Sequence, residues 1–234
     1  MHASRTLLWL ALIAATPALA QQSQNKISGD IDIQAGEQSG SLATVSGDIH
    51  IASKAQTRSA HTVSGDITVD ADATVGELVT TSGEVKIAEK GKAGGAKSVS
   101  GSVTLGRNAV VDGDVTSVSG NVFADRGTRI SGDVTSVSGS IGLVQTEVGG
   151  GIHFVSNDVT VGVGSHVKGG ITLKKPQFSN QDRPPRVVIG PNAVVDGPLT
   201  FELPVQLYVH SSAKIGAISG ATAIKFSTDT PPKG

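Results

Sequence analysis

A five-residue motif returns along this chain at an almost constant interval, and it constrains the fold more than any other feature. The motif has the form Val-Ser-Gly-Asp-Ile, and its copies begin at residues 27, 45, 63, 81, 99, 118, 137 and 155. The successive spacings are 18, 18, 18, 18, 19, 19 and 18 residues. One short unit repeated at a fixed period is typical of a solenoid, in which each unit contacts only its neighbours.

Within each period, apolar or small residues come in pairs. In two of the units these pairs are Ile67/Val69, Ala73/Val75, Val79/Thr81 and Val103/Leu105, Ala109/Val111, Val115/Val118. Residues two apart lie on one side of a β-strand, and a gap of four residues requires a corner. Three pairs and three corners predict an all-β fold, a single-stranded parallel β-helix with triangular coils of about 18 residues. A right-handed coil is favoured because parallel crossover connections are right-handed.

The motif glycine is predicted to form one corner of each coil. These glycines are Gly29, Gly47, Gly65, Gly83, Gly101, Gly120 and Gly139. Glycine adopts positive φ without steric cost, so we expect a left-handed backbone at this corner. Asn157 takes the glycine position in the last copy, and asparagine is the side chain that best tolerates the same conformation.

Composition agrees with this architecture and excludes several classes of protein. The chain has 234 residues, of which 30 are glycine and 3% are aromatic, as expected for an interior of stacked aliphatic residues without room for large rings. A formal net charge of −1 lacks the basic excess of a nucleic-acid-binding protein. The absence of cysteine excludes disulfide bonds and thiol chemistry.

The chain divides into a leader, a solenoid and a tail. Residues 1–20 read as a secretory signal peptide, with Arg5 before an apolar stretch and Ala18-Leu19-Ala20 before the cleavage point. The alternative is an N-terminal membrane anchor; no later segment is apolar enough to span a bilayer. The solenoid occupies residues 21–226, with a proline-bearing excursion at 174–186, and residues 227–234 form a flexible tail. We therefore expect export, to the periplasm or to the cell surface and medium.

Two sets of charged residues are candidate binding sites. The position after the corner glycine is acidic in four successive coils, at Asp30, Asp48, Asp66 and Glu84. This strip either binds a divalent cation through oxygen ligands or reflects the preference of Asp for turns. The excursion carries the basic residues Lys174, Lys175, Arg183 and Arg186, a candidate loop for docking a partner.

No catalytic or cofactor-binding residue is predicted. The motif serines have no adjacent base in the sequence, and no serine differs from its copies. The histidines, with no cysteine to support them, lack metal-ligand spacing.

The repeated Val-Ser-Gly-Asp-Ile resembles the Ser-Gly-Asp repeats of bacterial putative-adhesin β-solenoid domains. The triangular coil with glycine at its corners is also similar to the coil of bactofilins, and that likeness implies end-to-end assembly without a nucleotide. A third likeness, at Ile189-Gly190-Pro191-Asn192-Ala193, is to the left-handed hexapeptide helix of acyltransferases. The first two likenesses cover residues 27–173 and extend more weakly to residue 226.

These observations predict a non-enzymatic, exported structural or self-assembling solenoid, adhesin-like or polymer-forming, in the cell envelope. Because a solenoid has two open ends with unpaired edge strands, we expect self-association through these ends or docking on an envelope protein. The alternatives are a module that binds a cation, a glycan or an envelope protein, and a hexapeptide-type acyltransferase.

Overall fold

The protein is a parallel β-solenoid of eleven coils, seen in a computed structural model that describes residues 22–175, 183–228 and 230–232. Every strand pairing is parallel, and the described residues contain no helix. The predicted signal peptide lies outside the described residues, as does the centre of the excursion. The predicted fold class is confirmed.

The first side of the coil, face A, is an eleven-stranded sheet with one strand from each coil. Its strands are β2 (Ile31–Ile33), β4 (Ile49–Ile51), β6 (Ile67–Val69), β8 (Val85–Ile87), β10 (Val103–Leu105), β13 (Val122–Ala124), β16 (Ile141–Leu143), β19 (Val159–Val161), β22 (Arg186–Ile189), β25 (Gln206–His210) and β28 (Ala223–Phe226). In the three-residue strands, from β2 to β19, the central residue points outward between two inward-facing apolar residues, as the alternation of a strand requires.

Faces B and C are the other two sides, and they share one seventeen-stranded sheet. In the early coils one long strand covers both faces: β3 (Gln38–Ser46), β5 (Gln56–Ser64), β7 (Thr74–Ser82) and β9 (Lys92–Ser98). Later, face B has β11 (Val110–Val111), β14 (Arg129–Ile130), β17 (Glu147–Val148), β20 (His166–Val167), β23 (Val194–Val195) and β26 (Lys214–Ile215). Face C begins with β1 (Gln24–Ser28) and continues as β12 (Val115–Ser117), β15 (Val134–Ser136), β18 (Ile152–Phe154), β21 (Ile171–Leu173), β24 (Leu199–Phe201) and β27 (Ile218–Ser219).

The predicted inward pairs are right on faces A and B and partly wrong on face C. Ile67, Val69, Ala73 and Val75 are buried, as expected. On face C the buried residues are Leu78 and Thr80, not Val79 and Thr81. The chain passes from face B to face C within the single strand β7, so the step between the pairs is three residues instead of four.

Two coils further on the predicted pair is half right, because Val115 is buried as expected. Ser117 is buried after Val115, and Val118 is 36% exposed. The first residue of each motif therefore lies outside the interior, and in six of the eight copies the residue just before it is a buried Thr or Ser.

The interior also admits rings that the composition argument excluded. Phe154 and Phe201 are buried on face C, with Leu173 between them in the same column. In the preceding coils this column contains Ser117 and Ser136, which leave space for the ring above them.

The motif glycines lie at the corner between faces C and A, but most of them do not have the predicted left-handed backbone. Of the seven, only Gly29 and Gly47 have φ in the positive range, at 99° and 158°. Glycine is required instead by close approach between coils. A Cβ atom on Gly83 would lie 1.9 Å from the carbonyl oxygen of Gly65, and one on Gly101 would lie 1.8 Å from that of Gly83. Asn157, by contrast, has the predicted left-handed conformation, with φ of 77°.

The left-handed residues form a column of their own at the corner between faces A and B. They are Gly36, Lys54, Asp72, Lys90, Asn108, Gly127, Gln145, Gly164 and Asn192. Only three of the nine are glycine, so no repeated residue type identifies this corner in the sequence.

Each end of the solenoid places a lysine in a column that is otherwise uncharged and buried. At the N-terminal end, Lys26 of β1 pairs in register with the buried Thr44. At the C-terminal end, Lys225 of β28 pairs in register with the buried Val209. Both lysines are exposed, and Nζ of Lys26 donates to the carbonyl oxygen of Asp30. A lysine at such a position of an edge strand disfavours the addition of a further strand.

Candidate association surface

The solvent-exposed first residues of the motif form a continuous line along one edge of face C, which we call the motif ridge. Its members are Ile27, Val45, Val63, Thr81, Val99, Val118, Val137 and Val155. Ile27 is 84% exposed, and Val45, Val63 and Val99 are 45–48% exposed. Val137 and Val155 are half-buried.

Backbone hydrogen bonds hold the motif ridge in register. From Thr81 to Val137 the carbonyl oxygen of the ridge residue accepts the N–H of the motif serine in the next coil, as from Ser119 to Val99 at 2.8 Å and from Ser138 to Val118 at 2.7 Å. The ridge residues therefore recur at the spacing of neighbouring strands, about 4.8 Å. The result is a straight apolar line rather than scattered exposed residues.

A ladder of buried hydroxyl groups lies directly beneath the motif ridge. The hydroxyl of Thr62 donates to the carbonyl of Gly47 at 3.1 Å, and that of Thr80 donates to the carbonyl of Gly65 at 3.0 Å. Ser98 makes the equivalent bond to Gly83 at 2.9 Å. Sequence reasoning missed this ladder, although a Thr or Ser precedes the ridge residue in nearly every coil.

The acidic strip lies beside the motif ridge, where its side chains bond the backbone of the next coil. Oδ1 of Asp30 accepts the N–H of Asp48 at 2.8 Å, and Oδ1 of Asp48 accepts the N–H of Asp66 at 2.8 Å. Oδ1 of Asp66 accepts the N–H of Glu84 at 2.7 Å. One oxygen of each of these Asp carboxylates is thereby used, and the negative charge stays at the surface.

The same role explains why the acidic run later changes to neutral residues. Oδ1 of Asn121 accepts the N–H of Ser140 at 2.8 Å, and Oγ of Ser102 accepts the N–H of Asn121 at 3.3 Å. A side-chain oxygen acceptor is all that the position needs. Among the described residues there is no group of three or more His, Asp or Glu side chains that could hold a metal ion. Binding of a cation along the strip stays a prediction.

The basic residues of the excursion separate into two groups. Lys174 and Lys175 are exposed, and Lys174 occupies the ridge position in the coil after Val155, because Phe154 pairs in register with Leu173. The backbone N–H of Lys175 donates to Glu202 at 2.8 Å.

Arg183 and Arg186 lie against Asp158 instead. Arg183 contacts both carboxylate oxygens at 3.0 Å, and the backbone N–H of Arg186 donates to Oδ1 at 2.9 Å. Burial alone raises the pKa of Asp158, but these hydrogen bonds and the two positive charges outweigh it and hold the pKa below its usual value. The guanidinium of Arg186 also lies 4.7 Å from the ring centroid of Tyr208.

Two depressions on the described surface lie beside candidate residues. One of about 300 Å³ is lined by Asp158, Arg183 and Arg186; the carboxylate of Asp158 is paired with Arg183, and Nε of Arg186 is buried without a hydrogen-bond partner among the described residues. Another of about 280 Å³ lies beside Ser136 and His153. The hydroxyl of Ser136 donates to the carbonyl of Gly139 at 2.8 Å and not to the imidazole.

No family model, curated protein or solved structure matches this chain. The resemblance to adhesin-type repeats, bactofilins or hexapeptide acyltransferases therefore remains an expectation, while the solenoid fold itself is shown by the structure. The described part of the chain also contains no helix long and apolar enough to cross a bilayer.

Proposed function

We propose that this chain is an exported, non-enzymatic structural solenoid of the cell envelope that works by associating with further copies of itself. The β-solenoid fold supports a structural role, because its repeated side chains serve the packing of the coils. Export rests on the signal peptide predicted at residues 1–20. The adhesin-like role implied by the resemblance belongs to this same proposal, and the polymer-forming role is the alternative in which copies join end to end.

The motif ridge is the observation that carries the proposal. Thr81 occupies a ridge position without disturbing the coil, so the fold accepts a polar residue there. The remaining seven ridge positions nevertheless all hold valine or isoleucine. A contiguous exposed apolar line of this kind is typical of a contact surface.

The ends of the solenoid favour side-by-side contact over end-to-end stacking. Continuous stacking would bury Lys26 or Lys225 in a column of otherwise uncharged, packed side chains, at the cost of removing an unpaired charge from water. The lateral surface has no such obstacle.

The assembly state of the chain from Gln21 onward tests the proposal. We expect light scattering to give a mass above that of the monomer, rising with protein concentration in the micromolar range. A monomer at every concentration would overturn the proposal. A compact trimer that binds coenzyme A would point to the acyltransferase resemblance instead.

A further inference from the structure

Charge is distributed unevenly along the solenoid. Residues 21–84 contain three basic and nine acidic residues, a net charge of −6. Residues 85–234 contain fifteen basic and eleven acidic residues, a net charge of +4. Because the coils stack in chain order, this is a separation of charge along the long axis of the molecule.

The same separation appears along the motif ridge. Its first four coils are flanked by the carboxylates of Asp30, Asp48, Asp66 and Glu84, whose positions are exposed. After Val155 the line continues with Lys174, which is exposed together with Lys175, and in the following coil with Glu202. Arg183 adds little to this basic end, because its guanidinium is already paired with Asp158.

We propose that two copies of this chain associate side by side and antiparallel through the motif ridge, with the acidic end of the ridge in each copy next to the end of the other copy that carries Lys174 and Lys175. This inference rests on the proposed function and names its partner and orientation. The antiparallel arrangement is two-fold symmetric and closed, so each copy uses the same surface. A parallel arrangement would place acid against acid and lysine against lysine.

The size of the surface predicts a weak, salt-sensitive dimer. The seven steps from Ile27 to Val155 make the ridge roughly 34 Å long at the usual strand spacing. A narrow strip of that length buries less than a standard interface of about 800 Å² per partner, so the charged flanks have to contribute. We therefore expect dissociation in the micromolar range that weakens as added salt screens the flanks.

A pair of matched substitutions tests the surface. Val99 on the ridge and Val163 on the corner between faces A and B are exposed to 45% and 44%. We expect Val99→Asp to weaken dimerisation at least tenfold in sedimentation equilibrium and Val163→Asp to leave it unchanged. Equal effects of the two substitutions would overturn the ridge as the contact.

Cysteine cross-linking tests the orientation, and the chain offers a background without cysteine. In an antiparallel dimer centred on the ridge, Val45 of one copy lies opposite Val137 of the other. We expect a mixture of the Val45→Cys and Val137→Cys variants to form a disulfide-linked heterodimer, whereas Val45→Cys alone forms little. Efficient cross-linking of Val45→Cys to itself would overturn the antiparallel arrangement.

Different results would contradict self-association of the chain and the antiparallel dimer through the motif ridge. A chain that remains monomeric at every concentration contradicts both of them. A chain that associates equally well with Val99→Asp, and gives no cross-linked heterodimer, retains self-association but refutes this surface.

Discussion

At the scale of single residues, the corner between faces C and A depends on the absence of a side chain more than on an unusual backbone angle. The glycines stack directly, and each carbonyl oxygen occupies the place that a Cβ atom of the next glycine would need. The Asp, Ser or Asn that follows supplies an acceptor to the backbone of the next coil. Both contacts join equivalent positions in successive coils, so they select the same residue types in every repeat.

Replacement of Gly83 by alanine is expected to be strongly destabilising. The added Cβ would lie 1.9 Å from the carbonyl oxygen of Gly65, and two coils would have to separate locally to accept it. We expect a loss of at least about 2 kcal/mol in the free energy of unfolding, measured by chemical denaturation. Gly142→Ala is the control, because its nearest neighbour would be the Phe123 ring at 3.5 Å. Equal losses for the two variants would refute the steric explanation.

Replacement of Asp66 separates a structural acceptor from an ion ligand. Asp66→Ala removes the acceptor for the N–H of Glu84 and is expected to cost about 1 kcal/mol of stability. Asp66→Asn keeps an oxygen at the same place, as Asn121 does naturally, and is expected to cost less than half as much. The measurement is thermal denaturation with calcium and with a chelator. An Asn variant that loses a calcium-dependent stabilisation of the native chain would favour the cation strip.

At the scale of strands, the sequence predicts two sides of the coil better than the third. Pairs such as Ile67/Val69 stand between polar residues, so their inward direction is clear. On face C both Leu78 and Val79 are apolar, and the alternation alone cannot say which one is inside. Because strand β7 covers both faces, the corner between them is one residue shorter than expected, and Leu78 is the residue that points inward. The repeated Thr or Ser before the motif was the available signal, since a buried hydroxyl needs a backbone acceptor and Thr80 finds one in Gly65.

The candidate surface was only partly predictable for the same reason. The acidic strip and the lysines of the excursion are visible as charges in the sequence. The motif ridge was assigned to the interior, because a valine in every repeat is typical of a core position. Only the register between coils shows that Val99 lies outside the buried columns.

The cluster at Asp158 predicts a specific response to acid. The pKa of this carboxyl is held below its usual value, so the pairing with Arg183 and Arg186 stabilises the fold at and above the usual range of aspartate, near pH 4. That contribution is lost as the pH falls through the lowered pKa. We expect the difference in melting temperature between the native chain and Asp158→Asn to be constant above about pH 5 and to shrink towards pH 3. A difference that does not change with pH would contradict this.

At the scale of the whole molecule, the ends determine whether the solenoid grows. Each end carries one lysine in a core column, Lys26 at the start and Lys225 at the end. The tail beyond the last strand is also held to the solenoid, since Arg186 donates to the carbonyl of Pro232 at 2.5 Å. These features limit extension along the axis and leave the sides available.

Removal of the terminal charge is expected to permit that extension. Lys225→Ile gives the last strand an apolar residue in register with Val209, so the exposed edge can accept another strand. We expect filaments or higher-mass species in negative-stain microscopy. Lys214→Ile is the control, because Lys214 is in register with the half-buried, outward Val194 and not with a core residue. Filaments from both variants would indicate a general effect of lost charge.

The excursion at residues 174–186 shows how this architecture can acquire new parts. Although that coil is the longest, Val159 still pairs in register with Val187. The parallel stacking of strands on face A therefore continues across the excursion. The extra residues at this corner leave the pairing of the coils on either side unchanged. A gene for such a chain can therefore gain surface loops one at a time, or lengthen by duplicating whole coils, without redesigning the repeats on either side.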